Sequence, residues 1–205
     1  MRDSRSPGRR PRRRGLAVGA VAAGLVLAVP ASWAAANAAL SDINSGSVEM
    51  QPTKATVKKL ADDKVKYSPA TKAAQGADKA AKPTRFEVTR GRLDPRMTAG
   101  QVELTGGFTL EGAKGHKVTF SGLKSDLSKS TTTAVMDGKK AGKRIPLFTY
   151  SAKDFKIKPS LKSLQVDAIK LRLTKDAADA LNKQLGTSLK QGEEFAGATG
   201  RANLL

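Results

Sequence analysis

The sequence predicts one small, mostly β domain built as a sandwich or a barrel, and three observations carry that expectation. From Thr84 onward apolar residues recur at every second position in short runs: Phe86 and Val88, Val102 and Leu104, Phe108 and Leu110, Val118 and Phe120. That period marks a strand with one buried face. Turn residues separate the runs at close intervals, at 91–95, 106–107 and 112–115 and at Asp137-Gly138, a strong hairpin signal. Helical spacing is confined to two short stretches.

In chain order, residues 41–51 are polar with scattered apolar positions and read as a short strand or a tail. A helix is expected over 54–62, where Val57, Leu60 and Ala61 fall at helical spacing and Thr53 offers a side-chain cap. Val65 and Tyr67 alternate with lysines and stop before Pro69, an edge-strand pattern. Residues 70–83, rich in Ala, Lys, Gln and Gly, have no period and read as a loop. Further strands are expected over 123–127, 131–136, 145–150 and 155–157. In the strand over 164–173, Leu164, Val166 and Ala168 share one phase, while Ile169, Leu171 and Leu173 share the other. That slip predicts a β-bulge between Ala168 and Ile169, or else a strand buried on both faces. The second helix follows, with Thr174 as N-cap and Asp176 in the first turn, where the helix dipole favours negative charge. Its apolar stripe is Ala177, Ala178, Leu181 and Leu185, and Gly186 ends it. A last strand runs over 195–204.

The N-terminus has a different character. Seven arginines among the first fourteen residues precede an uncharged apolar run from Gly15 to Val29, then Pro30, then small residues ending in Ala36-Asn37-Ala38. Basic, apolar, small is the order of a secretory signal peptide with an A-x-A cleavage site. The uncharged stretch continues to Leu40, so an uncleaved membrane anchor is the alternative. The expected plan is a signal peptide or anchor over 1–38, an N-terminal segment over 39–53 and the β domain over 54–205. The product is secreted or held in the cell envelope.

The chain's formal charge is +19, and beyond residue 14 it still holds 30 basic and 17 acidic groups, a net +13. Such a field holds a protein near polyanions, though it also serves solubility alone. Lys139, Lys140, Lys143 and Arg144, and Lys153, Lys156 and Lys158, are the candidate polyanion contacts. Few aromatics interleave with them to stack on bases. With export, the expected partners are anionic cell-wall polymers or an envelope protein rather than nucleic acid. Membrane contact is expected only through the N-terminal segment.

Catalytic equipment is sparse. Cys is absent, which excludes disulfides, thiolate metal sites and a thiol nucleophile. One His without Cys makes no zinc set. There is no GxSxG elbow, P-loop or dinucleotide fingerprint. Nothing marks any pair among Asp126, Asp154, Glu193 and Glu194 as acid and base. The expectation is a non-catalytic binding module and not an enzyme.

Three segments, RGRLDPRMTAGQVELTGGFTLEG from Arg90, IPLFTYS from Ile145 and IKLRLTKDAADALNKQLGTSLKQGEEFAGATG from Ile169, resemble HtaA-like domains of secreted actinobacterial proteins. The resemblance runs from about Lys54 to Gly200. It implies a mainly β, immunoglobulin-like antiparallel β-sandwich with about two short helices. Some HtaA domains bind haem through a Tyr supported by a His, and a phenolate is a competent ligand for ferric iron. The chain has two tyrosines and one histidine, so Tyr150, His116 and Tyr67 are the candidate ligand residues. Where many relatives place a His before the paired glycines, this chain has Thr105. Tyr150 ends an apolar strand, where its ring suits a porphyrin face or, more simply, the rim of the fold. The residues alone imply no cofactor. A haem-binding or haem-transport role is the alternative that the resemblance implies.

Overall fold

The computed structural model describes residues 40–70, 82–138 and 142–205. Its elements, in order, are β1 (Ser41–Pro52), α1 (Lys54–Asp62), β2 (Lys66–Pro69), β3 (Thr84–Leu93), β4 (Gly100–Glu111), β5 (Lys117–Asp126), β6 (Thr131–Asp137), β7 (Lys143–Thr149), β8 (Lys156–Pro159), β9 (Ser163–Leu173), α2 (Lys175–Leu185) and β10 (Glu194–Leu204). The expected export segment, most of the expected loop over 70–83, and Lys139 and Lys140 lie outside the described residues.

Antiparallel pairing runs β10-β1-β3-β4-β5-β6-β7-β9 and returns from β9 to β10, so eight strands close into a barrel. β2 lies off this ring beside the end of β4, and β8 beside the start of β9. The mainly β class and the two helices agree with the sequence expectation, but the sandwich is corrected to a closed barrel. The physical reason lies in the interruptions. Gly106-Gly107 does not end a strand; it sits inside β4 at a register shift, with Gly106 at φ +110°. A Cβ on Gly107 would strike the carbonyl oxygen of Phe120 across the sheet. Residues 118–120 and 123–126, expected as two strands, are one strand with a register shift around Gly122. Bulges bend strands and increase their twist, which lets long strands curl until the two edges meet.

The bulge expected in β9 is present. Val166 pairs with Gly200 and Ile169 with Ala198, so Asp167 and Ala168 stand opposite Thr199 alone, with Ala168 at φ +60°. The extra residue resets the phase: Leu164, Val166, Leu171 and Leu173 are buried and Ile169 half-buried, while Ala168, expected on the face of Leu164 and Val166, sits in the bulge itself and is exposed. Both helices also start where expected. The Thr53 hydroxyl accepts from the Thr56 amide at 3.0 Å, and the Thr174 hydroxyl from the Ala177 amide at 3.1 Å. Gly186 closes α2 in the left-handed conformation at φ +70°.

Two further expectations change. Residues 41–51, read as a strand or tail ahead of the domain, belong to β1, which runs to Pro52 and pairs with β10 on one side and β3 on the other. The turn expected over 91–95 lies later, because β3 continues through Gly91 to Leu93. The chain then turns around the buried Asp94. Its carboxylate accepts from the amides of Arg96 (2.5 Å), Thr98 (3.1 Å) and Ala99 (2.7 Å) and from the Thr98 hydroxyl (2.6 Å).

The barrel interior divides into two ends of different character. At one, Phe108 packs against Phe120, Phe148, Phe195 and Tyr67 with ring centroids 5.0–6.5 Å apart. Both helices lie at this end, where α1 buries Leu60 and α2 buries Ala177, Ala178 and Leu181. The other end carries the β3–β4 turn, the β5–β6 turn, the β8–β9 hairpin, the start of β1 and the end of β10. No α-helix covers it among the described residues; one 3-10 turn, Ala152–Asp154, joins β7 to β8 there.

Candidate functional site

The end of the barrel without an α-helix holds a cavity of about 110 Å³. Its wall is assembled from inward-facing aliphatic positions of strands all around the barrel, among them Val88, Leu104, Leu123, Val166, Ile169 and Ala198. Phe148 contributes to its floor, stacked toward Phe108 at 6.5 Å, and ties it to the aromatic end. Half-buried Met97, from the Asp94-ordered turn, and Phe155, from the segment after β7, also line it. Ala198 and Gly200 leave room where larger residues would fill the barrel.

Tyr150 is on the cavity wall, buried at 8% exposure, with its ring stacked on Phe155 at 5.6 Å. Its hydroxyl donates to the Asp126 carbonyl at 3.1 Å. With its single proton committed there, it accepts from the Ser125 hydroxyl at 2.8 Å, and Ser125 in turn accepts from Thr132 at 3.2 Å. The Tyr150, Ser125 and Thr132 hydroxyls on the wall are thus all engaged. Among the described residues no buried side-chain nitrogen or oxygen lacks a partner. Burial pushes the Tyr150 phenol up, and the bond to Ser125 only partly offsets it.

The other two candidate ligands lie elsewhere. Tyr67 is on β2 at the aromatic end, its hydroxyl bonded to that of buried Thr84. Burial raises its pKa as well, with the Thr84 bond opposing. His116 is exposed in the β4–β5 turn, where its carbonyl accepts from the Gly112 amide at 2.9 Å. Ser125, the partner of Tyr150, lies nine residues beyond His116 along β5, roughly 30 Å at the rise of an extended strand. Tyr150 and His116 therefore do not converge, and at the other end the Tyr67 hydroxyl is held by buried Thr84 while His116 stands in solvent, so these residues do not fit a haem held by a Tyr–His set. Among the described residues no cluster of three or more His, Asp or Glu is placed to hold a metal.

The phenol environments give a measurable consequence. In the unfolded chain both tyrosines ionise near pH 10. In the fold both ionise higher, because each neutral phenol is retained by burial. Their stabilising contribution is therefore intact below pH 10 and is lost as pH rises above it toward the folded values. Absorbance at 295 nm should show no phenolate step near pH 10 in the native protein, then the full step as alkali unfolds it. A normal step for one tyrosine in folded protein would mean that its ring is not buried in solution.

The basic candidates are divided between the ends. Lys143 and Arg144 are exposed at the start of β7, near the helices, and Arg144 donates to the Thr133 hydroxyl at 3.1 Å. Lys153, Lys156 and Lys158 are exposed at the cavity end, with Lys158 paired to Asp167 at 2.8 Å. A second concavity, a groove of about 560 Å³, runs outside the barrel past Arg90, Arg92, Gln101 and Lys129. Its charges are largely matched internally, by Arg92 with Asp42 at 3.0 Å and Lys129 with Asp126 at 3.3 Å.

The described residues thus form a closed antiparallel barrel with an apolar hollow at one end. Its fold is that of an HtaA-like domain. The C-terminal domain of HtaA from Corynebacterium glutamicum superposes with a TM-score of 0.57 at 11% identity, covering 82% of this chain and all of that one. The N-terminal domain of HtaA from the same organism gives 0.49 at 16% identity, over 80% of this chain and 98% of that one. Heme binding protein HtaB, also from Corynebacterium glutamicum, gives 0.48 at 11% identity, over 82% and 96%. The shared fold rests on the first of these. No protein-family model matches the chain, and no curated protein matches it.

Proposed function

We propose that this chain is an exported, non-catalytic binding module of the cell envelope whose ligand enters the apolar cavity at the end of the barrel opposite the two α-helices. The observation that carries the reading is the chemistry of that cavity. Its wall is aliphatic and aromatic apart from Arg201, and the Tyr150, Ser125 and Thr132 hydroxyls on it are already paired with one another or with the Asp126 carbonyl. Such a wall selects chiefly by shape and apolarity. Apolar hollows of comparable size take benzene-like ligands. A space of about 110 Å³ thus fits a small apolar group or the end of a slender hydrocarbon chain. The export signal and the net +13 beyond it support placing this module among the anionic polymers of an envelope.

Haem, implied by the family resemblance, is the competing ligand, and two titrations separate the readings. Saturation with a medium-chain alcohol such as octanol, at about 100 times its Kd, should raise the stability of the exported protein by about 2.7 kcal/mol in urea unfolding. Haemin should leave no Soret shift that depends on the tyrosines. A haemin complex whose Soret band changes in Tyr150→Phe or Tyr67→Phe would establish the haem reading instead. Absence of stabilisation by any alkyl probe would remove the cavity reading.

A further inference from the structure

Among the described residues, two large apolar side chains stand almost wholly in solvent, Leu161 at 102% exposure and Leu205 at 83%. They are far apart in sequence and adjacent in space. The Leu204 amide donates to the Lys162 carbonyl at 2.9 Å, so each exposed leucine is the chain neighbour of a residue in that bond. Leu161 is the tip of the β8–β9 hairpin, which the Ser160 amide closes onto the Ser163 carbonyl at 2.8 Å. Both leucines project from the cavity end of the barrel.

Lys162 adjoins the tip, Lys158 and Lys156 follow back along β8, and Lys153 precedes β8; all four are exposed. Lys158 pairs with Asp167, while Lys153, Lys156 and Lys162 enter no ion pair among the described residues.

We propose that the cavity end of the barrel docks on an anionic lipid bilayer, with Leu161 and Leu205 entering the interfacial layer and Lys153, Lys156 and Lys162 meeting lipid phosphates. An anionic polymer would use the lysines and leave the leucines in water. A second copy would gain only two leucine side chains, far less area than a stable dimer buries, and would bring like charges together. A bilayer satisfies both halves of the surface: apolar tips enter the acyl boundary while long lysine stems reach back to the phosphates. The sequence leads one to expect membrane contact through the N-terminal segment alone; this surface is a second contact on the folded domain. The proposal goes beyond the cavity reading and stands whether or not the cavity takes a ligand.

The chain has no Cys, so a single introduced thiol reports one place. Leu161→Cys carrying an environment-sensitive fluorophore is mixed, in the full chain, with phosphatidylglycerol-containing vesicles at low salt. Its emission should shift to the blue and be quenched by a lipid-phase quencher. Ala113→Cys, in the exposed turn at the helix end, should do neither. Replacing Lys153, Lys156 and Lys162 by Gln should weaken the Leu161 response roughly a hundredfold in apparent affinity. Equal responses at both positions would show anchoring without docking by this face and overturn the proposal. A silent Leu161 probe with vesicles overturns it too, as does a response to soluble polyphosphate or to protein concentration alone. None of these outcomes depends on alkyl-probe binding in the cavity, so failure of one reading is distinguishable from failure of the other.

Discussion

Phe108→Ala is expected to lower the stability of the barrel by about 4 kcal/mol, the loss typical of a deeply buried Phe. The ring is 1% exposed and lies among Tyr67, Phe120, Phe148 and Phe195. Those partners come from four other elements, β2, β5, β7 and β10, which cannot all move in to fill the space without shifting paired strands. A domain of this size commands roughly 5–15 kcal/mol in total, so one substitution removes a large share. Urea unfolding should show a lower midpoint with little change in slope, because the surface exposed on unfolding stays nearly the same. The effect should also reach the other end of the barrel, since Phe148 touches Phe108 on one side and floors the cavity on the other. A loss under about 1 kcal/mol would mean that the aromatic end is loosely packed, contrary to the rule for buried Phe.

Local signals in this sequence were legible and long-range ones were not. Thr53, Thr174 and Gly186 announce their helix ends through side-chain and backbone chemistry that acts within four residues. The slip at Ala168 and Ile169 announces its bulge because both apolar sets must face inward. β1 was harder to read. Its ladder with β10 slips between Ile43 and Ser45, and its middle is Ser-Gly-Ser, so no clean alternation survives to mark a twelve-residue strand. Closure was invisible for another reason. Closure needs β10 to pair with β1, more than a hundred residues earlier in the chain, as well as with nearby β9, and the bulges that allow it read locally as strand ends. The cavity shares that difficulty. Leu104, Leu123, Val166 and Ile169 look in sequence like any inward strand position, and no local signal separates the wall of a hollow from a filled core. Tyr150 stood out as an aromatic at a strand end, but its partner Ser125 lies two strands away around the ring.

Ala198→Leu should then separate a functional hollow from a packing defect. Ala198 is buried on β10 opposite Ile169, and its side chain is on the cavity wall. Three added carbons in a filled core force strained rotamers and cost about 1–3 kcal/mol. Here they meet about 110 Å³ of empty space. The substitution should therefore leave stability within about 1 kcal/mol of the parent, because the new apolar contacts offset any crowding. Affinity for an alkyl alcohol should fall at least about tenfold, equivalent to about 1.4 kcal/mol, because protein now occupies the site. Unchanged affinity with unchanged stability would place the ligand elsewhere on the barrel. A large loss of stability would show that the strands already close over this space in solution. Only the combination of a tolerated side chain and a lost ligand is expected of a barrel that keeps one end open for binding.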